Sequence, residues 1–499
     1  MRFPLPLLFP RDSHLLGIVK ELSERGHNVV VIVNNNTEHW TQRSDFQALN
    51  LSVWNIGNIS DVVSVQKYEL PKKKGSDALD LLTKSFLMYE REVTRALLAF
   101  PQFKNSSFDV LLCDVAGMVG KTVEHVLQVP LVRYSTLPAS TEVTFSSSYV
   151  GTVATGLGNR MNTLQRIQGW IMKKLYQYVI YPKFNEWRNS RQYQADVEKS
   201  PVLTVYPWGM EYPYPLPPNR IVVGPTRVFS REGLEPITDD MMRWLEEESP
   251  IGKTLPVIFV SMGTTGIPPV ELMKKIASTL NLLAFQQDKP KEVRVIWALP
   301  VKDNSTLFDV IDDLISPSYY FYPTKWVPQA SILASDHLYG FWTHGGANSL
   351  VESISFGKPV LCTPLFLDQM DNCQRADDQG FGISLPPASD VQTFQESLSN
   401  LLRTQSFLDN AMRVGRIIEL GRGAERSADF LEMVAEVGYE HLVPEYHYLP
   451  QYLQLDLDIY FFVLASVLIL VGILSTSFYC LFACCRRTQK PRHLKSKNE

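Results

Sequence analysis

KWVPQASILASDHLYGFWTHGGANSLVESISFGKPVLCTPLFLDQMDN, residues Lys325 to Asn372, is the stretch that decides the fold. Trp326 and Gln329 flank a proline, and a short apolar run from Leu338 to Trp342 leads into the turn Thr343-His344-Gly345-Gly346. A helix start of small residues then carries Glu352, a second apolar run spans Pro359 to Leu365, and Asp368-Gln369 closes it. Apolar run, glycine turn, helix, apolar run is the pattern of a βαβ unit in a parallel sheet. Ligands of such sheets bind outside the carboxyl ends of the strands, where these polar residues fall.

The spacing carries a chemistry. Gly345 and Gly346 let backbone N–H groups come close to a ligand, and the following helix presents its positive end to an anion. His344 is set to donate to a phosphate oxygen, with Asn348 and Ser349 adding donors in the first turn. Glu352, further along the helix, accepts from ribose hydroxyls. Trp326 offers a flat face to a base, with Gln329 beside it, and Asp368 and Gln369 suit the hydroxyls of a sugar. Together they describe a nucleotide-sugar site. His344 alone would more often be a hydrogen-bonded core histidine, and one Gly-Gly turn says little; the joint spacing carries the reading.

The combined pattern, W-x-P-Q, T-H-G-G-x-N-S-x-x-E and P-L-x-x-D-Q-x-x-N, resembles the signature of the UDP-glycosyltransferases, in the branch of animal membrane-bound UDP-glucuronosyl- and UDP-glucosyltransferases. The resemblance implies an α/β fold of GT-B type, two facing Rossmann-like domains plus one C-terminal transmembrane helix. Residues 1–222 would form the acceptor-binding domain and 223–445 the UDP-sugar-binding domain. A juxtamembrane segment (446–458), a transmembrane helix (459–485) and a basic cytosolic tail (486–499) would follow.

Composition agrees with a globular chain of two or three domains: 499 residues, 45% hydrophobic and 20% charged. A net charge of −4 leaves no nucleic-acid footprint. The six cysteines show neither metal-ligand spacing nor a disulfide framework, and Cys113 and Cys362 read as buried small hydrophobes in strand-like runs. Cys484 and Cys485 lie at a membrane edge, where palmitoylation and plain packing are both open. The run Ile459 to Cys485 holds no charge and exceeds the roughly 20 residues that cross a bilayer. Asp456 and Asp458 precede it, and Arg486, Arg487, Lys490, Arg492, Lys495 and Lys497 follow, which predicts a cytosolic tail and a lumenal main domain. The final KSKNE is similar to a di-lysine retrieval signal and implies the endoplasmic reticulum membrane. Five N-x-S/T sequons, at Asn35, Asn50, Asn58, Asn105 and Asn304, precede the span and are compatible with a lumenal domain.

From the amino terminus, FPLPLLFP is too short and too proline-interrupted for a signal peptide and reads as a partial first strand, so a truncated start is expected. Leu15 to Arg25 has helical apolar spacing and stops at Gly26-His27 before the strand VVVIV. In the family this resembles, the His after the first strand is the general base, which falls on His14; His27 reads as structural. FDVLLCD, Phe108 to Asp114, is a strand ending in the acid that matches the family's partner of that base. A carboxylate beside an imidazole fixes its tautomer and stabilises the imidazolium that forms. From Val132 to about Arg191 the chain reads as helical and irregular, and Pro213 to Val228 as an extended link. Ser261, Gly263 and Thr264, after the strand VIFVSMG, match a loop facing the donor diphosphate. Val391 to Arg403, Phe407 to Ile418 and Ala424 to Tyr439 read as amphipathic helices.

The resemblance implies inverting transfer from a UDP-sugar donor to a small lipophilic acceptor bearing a hydroxyl, with no metal and no further cofactor. No Asp-x-Asp lies near the site; the one at Asp456 lies against the membrane. The membrane and the two substrates are the expected partners, with no nucleic acid; a homo-oligomer is left open. Glucuronate and glucose remain alternative sugars, and a non-catalytic nucleotide-sugar or lipophile binder is the reading from a different class.

Overall fold

A computed structural model describes residues 4–8, 13–35, 44–47, 49, 51–58, 88, 92–114, 124, 128–136, 138, 157–158, 161–175, 199–227, 234–248, 255–263, 268–285, 293–299, 318–324, 326–366, 368–454 and 456–488. They fall into two units, divided after Val443.

The first unit contains two parallel sheets. The amino-terminal sheet has seven strands in the order β3-β2-β1-β4-β5-β6-β7: β1 (Pro4–Leu8), β2 (Asn28–Val33), β3 (Ser52–Asn55), β4 (Leu111–Asp114), β5 (Leu131–Ser135), β6 (Val202–Thr204) and β7 (Arg220–Val222). The order reverses between β1 and β4, which are neighbours with Leu7 opposite Leu112 and Leu8 opposite Cys113. Such a reversal opens a crevice beyond the strand ends. The expected partial first strand is β1, inside the sheet between β2 and β4. Its Pro4 and Pro6 fall where β1 pairs with β2 alone, before pairing to β4 begins, so their missing N–H groups interrupt no second ladder. The region from Val132, expected to be helical and irregular, opens instead as β5: Leu131, Val132 and Tyr134 are buried, and β-branched and aromatic side chains suit a covered strand.

The second sheet has six strands in the order β10-β9-β8-β11-β12-β13: β8 (Val257–Ser261), β9 (Arg294–Ala298), β10 (Phe321–Thr324), β11 (Leu338–Thr343), β12 (Val360–Cys362) and β13 (Gly382–Ser384). Its reversal lies between β8 and β11, whose last residues, Ser261 and Thr343, are register partners. Helices cover both faces, so these strands read as near-continuous apolar runs. Ile258 and Val260 pack against Leu272, Ile276 and Phe394, while Val257 and Phe259 face Leu350, Ile354 and Val414.

The helices that position the site are α1 (Ser13–Glu24), α2 (Thr163–Leu175), α3 (Asp239–Glu246), α4 (Val270–Phe285), α5 (Gln329–Ala334), α6 (Ala347–Ser355), α7 (Gln369–Asp378), α8 (Val391–Arg403), α9 (Gln405–Gly421) and α10 (Gly423–Val437). The last of these returns to the first sheet. Ala428, Leu431 and Val434 of α10 pack with Leu15, Ile18, Val19 and Leu22 of α1. Arg25 clamps the pair by bonding Asp429 at 2.7 Å and Glu432 at 2.9 Å, and His27 meets Glu432 at 2.7 Å, in keeping with the structural role expected of His27.

The cysteine reading needs correction. Cys362 and Cys373 form a disulfide, with Cα atoms 5.5 Å apart. Cys362 ends β12 and Cys373 lies in the second turn of α7, and the loop between them folds back so that the two thiols meet in the core. That closure is a property of the βα turn and leaves no spacing pattern in the chain. Cys113 is buried in β4, as expected.

The second unit, from Pro444, contains α11 (Leu457–Thr488). Its apolar stretch Leu457–Phe482 runs 26 residues and reaches a mean hydropathy of 2.6 in its most apolar window. At the α-helical rise that is about 39 Å, enough to cross a hydrocarbon core of about 30 Å.

Candidate functional site

The sequence-predicted donor residues converge on the reversal point of the second sheet. Ser261 ends β8, its hydroxyl accepts the Gly263 N–H at 3.4 Å, and Gly263 turns the chain at φ +75°. Thr264 lies outside the described residues. Across the crevice, Thr343 ends β11 and His344 follows, its ring enclosed by two glycines. A Cβ on Gly263 would lie 2.5 Å from His344 Cε1 and 2.6 Å from Nε2; one on Gly346 would lie 2.6 Å from Nε2. The glycines therefore make room for an imidazole as well as for backbone. Burial pushes the His344 pKa down to about 4, so at neutral pH the ring is uncharged. It offers a hydrogen bond to an anion and no net charge. Its Nδ1 lies 3.4 Å from Thr343 Oγ1.

Gly346 is the N-cap of α6, and no side chain caps that helix. The amino-terminal end of α6 carries the positive end of the helix dipole, the arrangement that favours an anion. Asn348 is exposed on this turn and Ser349 half-buried. One turn further, both oxygens of Glu352 are engaged. Oε2 accepts from Gln329 Nε2 at 2.7 Å and Oε1 from Arg227 Nη1 at 3.0 Å. Gln329 opens α5, three residues after Trp326, whose side chain is 62% exposed and offers its indole face to solvent.

Asp368 and Gln369 lie at the start of α7 rather than at the end of the strand, because β12 stops at Cys362 and a loop intervenes. The Gln369 side-chain oxygen accepts the Leu365 and Phe366 N–H groups at 2.9 and 3.1 Å, which fixes the side chain against the loop before α7. Asp368 Oδ2 accepts from Asn372 Nδ2 at 2.8 Å, and the same nitrogen donates to the Gly345 carbonyl at 3.1 Å. Burial raises the Asp368 pKa, with the Asn372 bond opposing it. Below this turn sits the disulfide: a Cβ on Gly345, at φ +83°, would lie 2.4 Å from Cys373 Sγ and 2.8 Å from Cys362 Sγ. The Gly345 turn and the start of α7 thus share one floor.

The other two candidates belong to the first sheet. His14 is the second residue of α1, directly after β1, and Asp114 is the last residue of β4. The backbone brings both to the reversal point between these strands. Their side chains lie outside the described residues.

Two features escaped the sequence reading. The disulfide left no pattern, as noted. Arg227 belongs to no motif and stands in the link after β7, where only its charge sets it apart. The link is held on both sides: a Cβ on Gly17 of α1 would lie 1.6 Å from the Thr226 carbonyl oxygen, and one on Gly423 of α10 would lie 2.2 Å from that of Pro225. A second connection runs from the segment after β6 to α7, where Glu211 and Arg375, both buried, pair at 3.0 Å and Tyr212 donates to Asp378 at 2.6 Å.

Comparison with known proteins agrees with this layout. The family model described as "UDP-glucoronosyl and UDP-glucosyl transferase" matches residues 6–492. The chain is 27% identical to rabbit (Oryctolagus cuniculus) UDP-glucuronosyltransferase 2B13, over 96% of this chain and 91% of that protein. It is 26% identical to human UDP-glucuronosyltransferase 1A6, with 96% and 90% covered. Among solved structures it is similar to CalG4, the calicheamicin glycosyltransferase (TM-score 0.61, 17% identity, 87% of this chain and 99% of that one). It is also similar to a UDP-glucose:anthocyanidin 3-O-glucosyltransferase in complex with UDP (TM-score 0.58, 17% identity, 87% and 99%). Two parallel sheets, each with its crevice at a strand reversal, are the GT-B fold, and a full-length family match joins that fold to the nucleotide-sugar motif. The chain belongs to the UDP-glucuronosyl and UDP-glucosyl transferase family and is a UDP-glycosyltransferase.

Proposed function

We propose that the chain transfers a glucuronosyl group from UDP-glucuronate to a hydroxyl of a small lipophilic acceptor, with inversion at the anomeric carbon. The observation that carries the reading is the pairing of two reversal points: His14 and Asp114 at one, the nucleotide-sugar motif at the other. The acceptor binds over the first sheet and the donor over the second. His14, oriented by Asp114, takes the acceptor's proton as its oxygen attacks the anomeric carbon and the bond to UDP breaks. Charge developing on the departing diphosphate is met by the amino-terminal end of α6 and by the neutral His344 N–H. Glu352 and Gln329 hold the ribose, Trp326 the base, and Asp368 and Gln369 the sugar hydroxyls. The names of the animal relatives support glucuronate over glucose. The uncharged run Ile459–Cys485 within α11, with acidic residues before it and basic ones after, supports a single-pass anchor in the endoplasmic reticulum membrane with the catalytic unit lumenal.

The test is sugar transfer by membranes from cells expressing the full chain, supplied with UDP-glucuronate or UDP-glucose and a panel of phenols and steroids. Transfer from UDP-glucuronate is expected, with loss of about 10²–10⁴-fold in His14→Ala, the usual worth of a general base. Preference for UDP-glucose would change the sugar. Full activity in His14→Ala would remove the base. A folded chain that binds UDP yet transfers neither sugar would be a non-catalytic binder.

A further inference from the structure

Glu352 is the group proposed to hold the ribose, and its side chain is only 12% exposed. A carboxylate so enclosed needs charged or hydrogen-bonding partners to stay ionised and fixed in place. Each of its oxygens has two acceptor sites. Gln329 fills one on Oε2 and Arg227 one on Oε1, leaving one on each oxygen. Two free sites on one carboxylate match the adjacent 2′ and 3′ hydroxyls of a ribose.

Arg227 reaches Glu352 from a base that cannot slide. Its own link is pressed between α1 and the start of α10, with the Thr226 carbonyl against Gly17 and the Pro225 carbonyl against Gly423. Gly17 is one helical turn beyond His14 on α1. The link thus lies by its backbone against the helix bearing the proposed base, while the Arg227 guanidinium reaches the helix bearing the proposed ribose acceptor.

We propose that Arg227 is a positioning residue for the donor: it holds the Glu352 carboxylate ready for the ribose diol and fixes it relative to α1. It acts through Glu352 and needs no contact with substrate. This rests on the donor site proposed above. Removing one partner of such a charge-assisted bond costs donor affinity, because Glu352 must then be oriented and screened when the nucleotide arrives.

The experiment measures the KM for UDP-glucuronate, the inhibition constant of UDP, the acceptor KM and kcat for the full membrane-bound chain, in Arg227→Gln, Glu352→Gln and the double variant. In Arg227→Gln the donor KM and the UDP inhibition constant are expected to rise together by about tenfold, as for loss of one hydrogen bond to a charged group. The acceptor KM should stay put and kcat fall by less. In the Glu352→Gln background the same change should add little, since the partner is already gone. A donor KM within about twofold of wild type, full additivity in the double variant, or an acceptor KM rising in step would each overturn the inference. If Arg227→Gln does not accumulate as folded protein, Arg227→Lys decides: it keeps the charge and loses the fork, and an unmoved donor KM there would count against the role. Wild-type chain that does not bind UDP would overturn the donor site itself; wild type that binds and turns over, with unmoved variants, would overturn Arg227 alone.

Discussion

His344 shows how far a motif residue's chemistry depends on what surrounds it. The sequence places it at a strand end before a glycine turn, and the structure encloses it between Gly263 and Gly346 until burial holds its pKa at about 4. In the unfolded chain the same ring titrates near 6.5. As pH falls below 6.5 the unfolded state takes up a proton that the native state refuses, so stability is full above 6.5 and is lost on the way down to 4. Thermal unfolding of wild type and His344→Gln between pH 7 and 5 should therefore diverge, wild type losing on the order of 2 kcal/mol more by pH 5. Over the same range the donor KM should show no titration belonging to His344; an inflection near 6.5 that disappears in His344→Gln would contradict a buried neutral ring. Residue identities in the motif were legible because their spacing is long and joint. The charge state of His344 and the role of Arg227 were not, since both arise from which distant segments lie alongside.

At the level of elements, the long periodic pieces were readable: α1, β2, β8, β11, α6, α8, α9 and α10 all follow their apolar spacing. The strands that escaped are short. β3, β6, β7, β10 and β13 run three or four residues and β5 five, too few for a period, and exist because a neighbour offers a ladder. The loop after β12 also escaped, and with it the Cys362–Cys373 bond that ties the strand to α7 beneath Gly345. A crosslink spanning 11 residues constrains the unfolded chain by about 2–3 kcal/mol. Cys362→Ala/Cys373→Ala should unfold at lower temperature by a corresponding amount and bind donor less tightly, because the Gly345 turn and the start of α7 lose their common floor. Thiol alkylation before and after reduction, located by peptide mass, checks the bond directly; alkylated Cys362 and Cys373 in denatured, unreduced wild type would refute it.

Across the whole first unit, the two sheets are joined by more than the link. Glu211, on the segment leaving β6, is fully buried with Arg375 of α7, the helix that begins at the Asp368-Gln369 pair. Losing one member of a buried ion pair leaves an uncompensated charge and costs about 3–5 kcal/mol, whereas apolar replacement of both is often neutral. Arg375→Met should therefore deplete folded protein, and Glu211→Leu/Arg375→Met should restore most of it; equal yields from both would show the pair contributes nothing. The return of α10 to the first sheet has a further consequence, for ancestry and engineering alike. The halves are not interchangeable cassettes, since a surface near the end of the chain, Ala428, Leu431 and Val434, completes the core begun by Leu15 and Ile18. Grafting a relative's acceptor half onto this donor half means grafting that closing face with it.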